Sequence, residues 1–279
     1  MARLETDFPS IRACVFDMDG LLINSEDIIT QSTNQLLEKY SRPTLTRSVR
    51  AQLMGIPDST NGDVFHNWAK LPISREQFAR ESREQMHMLF PSCEPLPGAE
   101  KLLSNLSRAH SASSGDKIEL ALASSTKSRS YELKMSRPET KRLLDSFQPD
   151  QRILGDDPRV PKGRGKPAPD MYLIALQSLN STATDPDKKP ILPRECLVFE
   201  DSVIGVEAGR RAGMRVVWVP HPDLAVEYHD RQKLVLAGRT GLVEIGDSWQ
   251  LGEVDDGWAE CISSLEQFDH TKYGIVMPL

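Results

Sequence analysis

Two aspartates, Asp17 and Asp19, end an apolar run near the start of the chain. Residues 11–16 carry no charge after Arg12 and include β-branched and aromatic side chains, which predicts a buried strand. Side chains alternate along a strand, so both carboxylates leave the backbone on the same side. Carboxylates this close repel each other unless a cation or a shared proton separates them. The pair therefore indicates either a magnesium-type oxygen site or a simple strand-end turn, where Asp and Gly20 are common.

Polar groups follow two other apolar runs, and a lysine lies in a loop framed by glycine and proline. Phosphoryl transfer uses these groups, because a carboxylate can attack phosphorus while lysine and hydroxyl groups stabilise the phosphoryl oxygens. Acidic side chains at strand ends can also hold a metal that neutralises developing charge. The residues concerned are Ser124 and Ser125 after 118–123, Lys166 within 163–169, and Glu200 and Asp201 after 196–199.

Each of these residues also fits a structural role when it is taken alone. Ser124 could cap a strand end, Lys166 could be a solvated loop charge, and Asp201 or Ser202 could be a helix N-cap. The loop around Lys166 does not match a nucleotide-binding loop, since Pro167 stands where Ser or Thr is needed. Basic residues elsewhere are expected on solvated helix faces: Arg42, Arg47, Arg50, Arg210 and Arg211.

Four motifs, taken in order, resemble those of the haloacid dehalogenase-like hydrolases. They are the Asp-Met-Asp-Gly segment 17–20, then Ser124, then Lys166, then the Glu200-Asp201 pair. The resemblance extends from about 11 to 236, and several local segments are most similar to the pseudouridine-5′-phosphatase-like branch of the family. Those segments are FDMDGLL, PGAEKL, LGDDP, GKPAPD and CLVFED.

The resemblance implies a role for each of the motif residues. Asp17 is expected to be the nucleophile and Asp19 the general acid/base. Magnesium is expected to be bound by Asp17, by the backbone carbonyl of Asp19 and by Asp201, with Glu200 either a direct ligand or a group that orients one. Phosphoryl oxygens are expected to be held by Ser124, Lys166 and the Ser125 amide.

The pattern of elements predicts an α/β fold with a parallel sheet, and the resemblance implies that this sheet is doubly wound with a Rossmann-like core. Helical patterns at 98–108, 169–179 and 203–212 alternate with the strand patterns, which is the rhythm of a parallel sheet. The tail after 237 is expected to end in a helix near 260–268, and segments 110–117 and 180–190 are expected to be surface loops. The predicted strands cover 11–16, 118–124, 152–154, 196–200 and 215–219.

Residues 26–92 contain no convincing strand and resemble the all-helical cap domain that this family inserts after its first strand. Ser74 and Gln77 form a capping-box pattern that opens a helix through Phe90. We therefore predict a discontinuous core domain of residues 1–25 and 93–279, with a helical cap domain at 26–92.

The expected function is that of a magnesium-dependent phosphatase acting through an aspartyl-phosphate. Its substrate would be a small phosphorylated metabolite, either a nucleoside monophosphate such as pseudouridine 5′-phosphate or a sugar or polyol phosphate. A phosphomutase or phosphonatase-type transferase is the first alternative, and a non-catalytic binding or regulatory protein is the second. Ile29 disfavours a mutase, because the β-phosphoglucomutase-like relatives carry histidine there, and Asp19 disfavours a dehalogenase. Asn24 stands where many relatives have aspartate, which we expect to concern hinge geometry.

Composition is that of an ordinary globular enzyme. The 279 residues are 39% hydrophobic and 27% charged, and the net charge of −6 gives no reason to expect a nucleic acid polymer or a membrane as partner. The first ten residues lack the apolar core of a signal peptide, and no apolar run reaches the ~20 residues of a membrane span. The four cysteines form no CxxC motif. We therefore expect reduced thiols, a cytoplasmic location and a monomer.

Overall fold

A six-stranded parallel sheet lies at the centre of the computed structural model, which describes residues 8–55, 58–182, 189–241 and 251–278. The strand order is β4-β3-β1-β5-β6-β7, so the strand that carries the two aspartates is flanked on both sides. The strands are β1 (Ala13–Phe16), β3 (Glu119–Ala123), β4 (Arg152–Ile153), β5 (Cys196–Glu200), β6 (Arg215–Trp218) and β7 (Ala259–Cys261), and a separate antiparallel pair is formed by β2 (His110–Ser111) and β8 (Ile275–Val276).

Both faces of this sheet are buried, because alternate residues of each strand enter different apolar cores. From β1, Phe16 belongs to one core and Val15 to the other. Phe16 stacks on Phe199 of β5 with ring centroids 4.5 Å apart. The predicted doubly wound parallel α/β sheet is therefore confirmed, with all five predicted strands present.

Helices cover the two faces of the sheet. Glycine and alanine at 205, 208 and 209 let one of them approach closely, as Gly209 packs against Val198 and Val216. The α-helices after residue 89 are α5 (Ala99–Leu106), α6 (Ser128–Lys134), α7 (Pro138–Leu144), α8 (Asp170–Ser181), α9 (Val203–Arg211), α10 (Pro222–Glu227) and α11 (Gln232–Ala237).

The described residues between β1 and α5 contain helices and loops but no regular strand. The Ser74 hydroxyl accepts from the Gln77 backbone N–H, while the Gln77 side chain binds Glu81 and Tyr40, so only half of the capping box forms. The division into core and cap domains stays a prediction. The helices of this segment are α1 (Ser25–Lys39), α2 (Arg47–Leu53), α3 (Asp58–Ala69) and α4 (Arg75–Leu89).

The helical segment leaves and rejoins the sheet at one joint. The Asn24 side-chain oxygen accepts a hydrogen bond from the Glu94 N–H at 2.8 Å, and the Asn24 N–H donates to the Glu94 carbonyl at 3.1 Å. Next to this pair, Ile23 and Pro95 form an antiparallel bridge. The two connecting segments therefore run side by side where the helices begin and end.

Three predictions about the rest of the chain were wrong: the helix at 260–268, the surface loop at 110–117 and the solvated arginines. No helix forms at 260–268, where the chain adds β7 to the sheet and then makes a short 3₁₀ turn at Leu265–Gln267. Segment 110–117 is not only a surface loop, because β2 pairs with β8. Of segment 180–190, residues 183–188 lie outside the described residues.

The third correction concerns the arginines expected on solvated faces. Arg210 is 6% exposed and pairs with Asp256, while Arg211 pairs with Glu207 one turn earlier on α9. The segment around Asp256 and Trp258 packs over this helix, so the end of α9 does not face solvent. Arg50 is also largely buried, since it joins Asp27 to Asp223.

Within the described residues, no helix combines the length and the apolar character that crossing a membrane requires. All four cysteines are free thiols.

Candidate active site

Asp17 and Lys166 form the centre of the candidate site. Asp17 follows β1 directly, and its N–H donates to the Phe199 carbonyl, so its position is fixed by the neighbouring strand. Lys166 is 6% exposed, which excludes the solvated-loop interpretation. Its ammonium donates to Asp17 Oδ1 at 2.6 Å, to Glu200 Oε1 at 2.6 Å and to the Ala123 carbonyl at 2.9 Å. One lysine from the loop before α8 thus connects the ends of β1, β3 and β5.

Glu200 is fully buried and accepts hydrogen bonds at both of its oxygens. Lys166 and the Tyr172 hydroxyl donate to Oε1, the latter at 2.7 Å. The Ser202 N–H and hydroxyl donate to Oε2 at 3.1 and 3.0 Å. Because these donors occupy both oxygens, the geometry favours Glu200 as a group that orients its neighbours over Glu200 as a direct metal ligand.

Asp201 differs from Glu200 in having a buried oxygen, Oδ2, without a hydrogen-bond partner among the described residues. The Trp218 indole N–H donates to the Asp201 backbone carbonyl at 2.7 Å, which fixes the loop. Ser202, not Asp201, is the N-cap of α9, since its hydroxyl accepts from the Gly205 N–H. The Asp201 carboxylate is therefore left for another partner.

A hard divalent cation fits this arrangement. Asp17, Glu200 and Asp201 each place a carboxylate oxygen within 4.8 Å of the others, and all three residues are buried. Gly20 borders the same space, because a Cβ on this residue (φ +76°) would lie 2.3 Å from Asp201 Oδ2. Lys166 supplies one positive charge to three acids, so the cluster keeps an excess of negative charge and an unpartnered oxygen that suit magnesium.

Four side-chain donors hold the Asp19 carboxylate. Ser25 Oγ and Lys134 Nζ donate to its Oδ1, both at 2.5 Å. Thr126 Oγ1 at 2.5 Å and Ser124 Oγ at 3.3 Å donate to its Oδ2. Ser124 thus contacts Asp19, and it also accepts from the Thr126 N–H at 3.1 Å as the strand-end cap interpretation expected.

The pKa values of Asp17 and Asp19 are shifted in opposite directions because their surroundings differ. Burial raises the pKa of Asp17 to about 7, with Lys166 opposing the shift and Glu200 and Asp19 adding to it. Burial also raises the pKa of Asp201, with the neighbouring Glu200 and Asp17 charges adding to the effect. For Asp19, burial by itself would raise the pKa, but the Lys134 ammonium and the hydroxyl donors outweigh it, so its pKa is lowered.

Sequence reasoning missed several residues that bind the carboxylates of the site, among them Ser25, Thr126, Lys134 and Tyr172. Thr126 could have been found, since it continues the hydroxyl run that Ser124 and Ser125 begin. Lys134 and Tyr172 lie within helices α6 and α8, and nothing in their local sequence distinguishes them from ordinary helix residues. Ser125, by contrast, was predicted and is exposed, with its carbonyl packed against Gly155.

The helical segment approaches the site at the end of α2. Gly55 (φ +71°) lies so close to the core that a Cβ there would be 2.3 Å from Ser202 Cβ. Met54 is buried in the same core cluster as Val203. Arg50 strengthens this contact, because its guanidinium donates to Asp27 of α1 at 2.5 Å and to Asp223 of α10 at 2.8 Å. The helices therefore cover the loop that carries Asp201.

Comparisons with known proteins identify relatives of this chain. The family described as haloacid dehalogenase-like hydrolase matches residues 14–219. A Saccharomyces cerevisiae protein named "Probable pseudouridine-5′-phosphatase" is 36% identical over 95% of this chain and 98% of its own. (DL)-glycerol-3-phosphatase 2 of Arabidopsis thaliana is 32% identical over 88% of this chain and 94% of its own. A solved haloacid dehalogenase-type hydrolase of Entamoeba histolytica shares the fold, with a TM-score of 0.62, 18% identity and coverage of 95% and 97%.

Proposed function

This chain belongs to the haloacid dehalogenase-like hydrolase family, and from that premise we propose that it is a magnesium-dependent phosphatase of small phosphorylated metabolites. The observation that carries the proposal is the pairing of Asp17 with Lys166 beside an acidic cluster that has an unpartnered oxygen. Two relatives with named phosphatase activities, given above, align along nearly their whole length.

In the proposed reaction, Asp17 is the nucleophile. One of its oxygens is held by Lys166, and the carboxylate attacks the phosphorus of the ester. The bond between phosphorus and the ester oxygen breaks, and the leaving oxygen takes a proton from Asp19. Water then attacks the phosphorus of the aspartyl-phosphate and gives a proton to Asp19, so phosphate leaves and both carboxyl groups return to their starting states.

Asp19 has to carry a proton when the ester bond breaks, although its pKa is lowered in the free protein. A phosphate group bound beside it adds negative charge, which disfavours the ionised carboxylate. We infer that Asp19 takes up its proton as the substrate binds. Serine and threonine hydroxyls around Asp19 keep the carboxyl group oriented in either state.

The magnesium ion would be held by Asp17, Asp201 and the Asp19 carbonyl. Glu200 would orient Lys166 and the loop that carries Asp201. When bound, the ion supplies neutralisation of the phosphoryl charge. Ser124 and the Ser125 amide remain candidates for phosphoryl contacts, together with Lys166.

The proposed substrate is a small metabolite, either a nucleoside monophosphate such as pseudouridine 5′-phosphate or a sugar or polyol phosphate such as glycerol 3-phosphate. Support comes from the activities named for the two relatives. The end of α2 also lies against the Asp201 loop, which we expect to restrict the access of a large phosphoprotein. We further propose that the protein acts as a monomer in the cytoplasm.

Phosphate release from a panel of nucleotides, sugar phosphates and polyol phosphates, with magnesium present, tests this proposal. We expect one compound to be preferred, and Asp17→Asn to lose at least about 10³-fold in kcat while keeping its fold. Asp150→Asn, which changes an exposed aspartate, is the matched control and should keep full activity. Full activity in Asp17→Asn, or an isomerised product without phosphate release, would contradict the proposal.

A further inference from the structure

Lys134 is a buried ammonium that the reaction as written above does not use. It is the last residue of α6, and its side chain is 3% exposed. Burying a charged lysine is costly unless every donor finds a partner. Its partners are therefore informative about why the residue is there.

The partners of Lys134 all lie around the proposed acid/base. Nζ donates to Asp19 Oδ1 at 2.5 Å and to Thr126 Oγ1 at 2.8 Å. The Thr126 hydroxyl in turn donates to Asp19 Oδ2, so lysine and threonine together hold both carboxylate oxygens. On its remaining side Nζ lies 4.5 Å from the centre of the Phe90 ring.

We propose that Lys134 is a positioning residue for Asp19, which keeps this carboxyl group aimed for proton transfer to the leaving oxygen. The proposal rests on the function proposed above. The direct contact to Oδ1 and the indirect contact through Thr126 to Oδ2 together remove the freedom of the carboxylate to rotate about its last torsion. Proton transfer needs this precision, because a general acid acts only within hydrogen-bond reach of its target.

The same contacts connect Asp19 to the joint of the helical segment. Ser25, the first residue of α1, donates to the Asp19 oxygen that Lys134 also binds. Phe90, which follows α4, covers the Lys134 ammonium. The start of the helical insertion thus contacts Asp19 itself and its end contacts Lys134, so we expect movement of these helices to change the position of Asp19.

The first test compares two esters that differ in how much they need a general acid. Glycerol 3-phosphate has a poor leaving group that needs protonation, whereas 4-nitrophenyl phosphate has a good one. Lys134→Met should lower kcat for glycerol 3-phosphate by about 10–100-fold, a part of the 10²–10⁴ that general acids contribute. KM should stay nearly unchanged, and the first burst of nitrophenolate should remain fast.

Controls separate positioning from other roles of this lysine. Lys141→Met removes another lysine that pairs with an aspartate at 2.5 Å, on the exposed side of α7. This variant should hydrolyse both esters at the unaltered rate. Lys134→Arg keeps the charge and should retain more of the rate than Lys134→Met. Thr126→Val keeps its shape but loses the hydroxyl, and should show the same dependence on the leaving group as Lys134→Met.

Three outcomes would overturn the proposal: full kcat for glycerol 3-phosphate in Lys134→Met, a raised KM with unchanged kcat, or equal losses for both esters in the first turnover. A raised KM would make Lys134 a substrate-binding residue instead.

A crystal structure of Lys134→Met beside one of the unaltered protein gives a readout that needs no activity. We expect the Asp19 carboxylate to leave the Thr126 hydroxyl, and an unmoved carboxylate would contradict a positioning role. If the unaltered protein hydrolyses neither these esters nor any compound of the panel above, the proposed function fails, while this structural comparison still decides what Lys134 does to Asp19.

Discussion

Glu200 shows how much of the candidate site depends on residues that touch no substrate. It is fully buried, it accepts four hydrogen bonds, and it joins Lys166 to the loop that starts α9. A buried carboxylate is tolerable only when such donors surround it. The position of Lys166 next to Asp17 is therefore set by a network that extends to Tyr172 and Ser202.

We expect Tyr172→Phe to destabilise the protein, because the phenol hydroxyl donates to the buried Glu200 carboxylate. Hydrogen bonds to charged groups contribute about 1.5–3 kcal/mol, so the free energy of unfolding should fall by about that amount. Urea denaturation measures the change. An unchanged midpoint would mean that Lys166 and Ser202 satisfy Glu200 without the tyrosine.

Most of the site residues that could be predicted follow a strand, whereas Lys166 was found from its loop framed by glycine and proline. Asp17, Ser124, Glu200 and Asp201 each come directly after an apolar run, so sequence alone places them at one edge of a parallel sheet. Lys134 and Tyr172 reach the site from helices, and which face of a helix meets the site depends on packing that no local pattern encodes.

The packing of α9 against Glu200 leaves no room for a side chain at Gly205. A Cβ built on Gly205 would lie 1.9 Å from Glu200 Cδ, whereas no atom of the described residues lies within 4 Å of a Cβ built on Gly62 in α3. The same substitution, glycine to alanine in a helix, should therefore have opposite effects at the two positions.

Gly205→Ala should destabilise the protein by about 1–3 kcal/mol or more through overpacking. Gly62→Ala should stabilise it by up to about 1 kcal/mol, because alanine has the higher helix propensity. Thermal or urea unfolding of both variants provides the comparison. A stabilised Gly205→Ala variant would show that Glu200 can move aside.

The joint between the sheet and the helical segment depends on Asn24. Its side chain accepts from the Glu94 N–H, a bond that aspartate could also accept. Asn24→Ala should lose this bond, worth about 0.5–1.5 kcal/mol, and raise the open population of the joint by about 2- to 10-fold.

Limited proteolysis measures that opening, since cleavage near 20–25 or 91–98 should become faster in Asn24→Ala. Asn24→Asp, which keeps an acceptor, is the matched control and should be cleaved more slowly than the alanine variant. Equal cleavage of all three proteins would mean that the neighbouring Ile23–Pro95 bridge holds the joint by itself.

Prediction from sequence was least successful for the end of the chain. The strands in the middle of the sheet are apolar on both faces and were found from that pattern. β7 has three half-buried residues at the sheet edge and no such pattern, so a helix was expected there. The burial of Arg210 depends on Asp256 and Trp258, which are distant in sequence.

For the whole molecule, the buried acids make stability depend on pH and on metal. Burial raises the pKa of Asp17 to about 7, above its ordinary value near 4. Between these two values the folded protein binds a proton that the unfolded chain has lost. The contribution of Asp17 to the free energy of unfolding therefore falls as pH rises from about 4 to about 7 in the absence of metal.

A divalent cation should reverse this trend, because it binds the ionised carboxylates and competes with protons. We expect magnesium to raise the melting temperature more at pH 8 than at pH 5.5. Thermal unfolding with magnesium or with a chelator measures this. Asp17→Asn should reduce the effect, and a magnesium effect that is the same at both pH values would contradict the assignment of the acidic cluster as a metal site.

The joint at Asn24 and Glu94 has a consequence for how this architecture diversifies. The insertion starts and ends within one pair of hydrogen-bonded segments, so its two chain connections to the sheet lie next to each other. A different set of helices with ends equally close could be exchanged there without altering any strand or any of the four acids. Recombination at this joint would replace the helices beside the site, and with them the leaving-group preference, while the strand-end residues that we propose for phosphoryl transfer would stay the same.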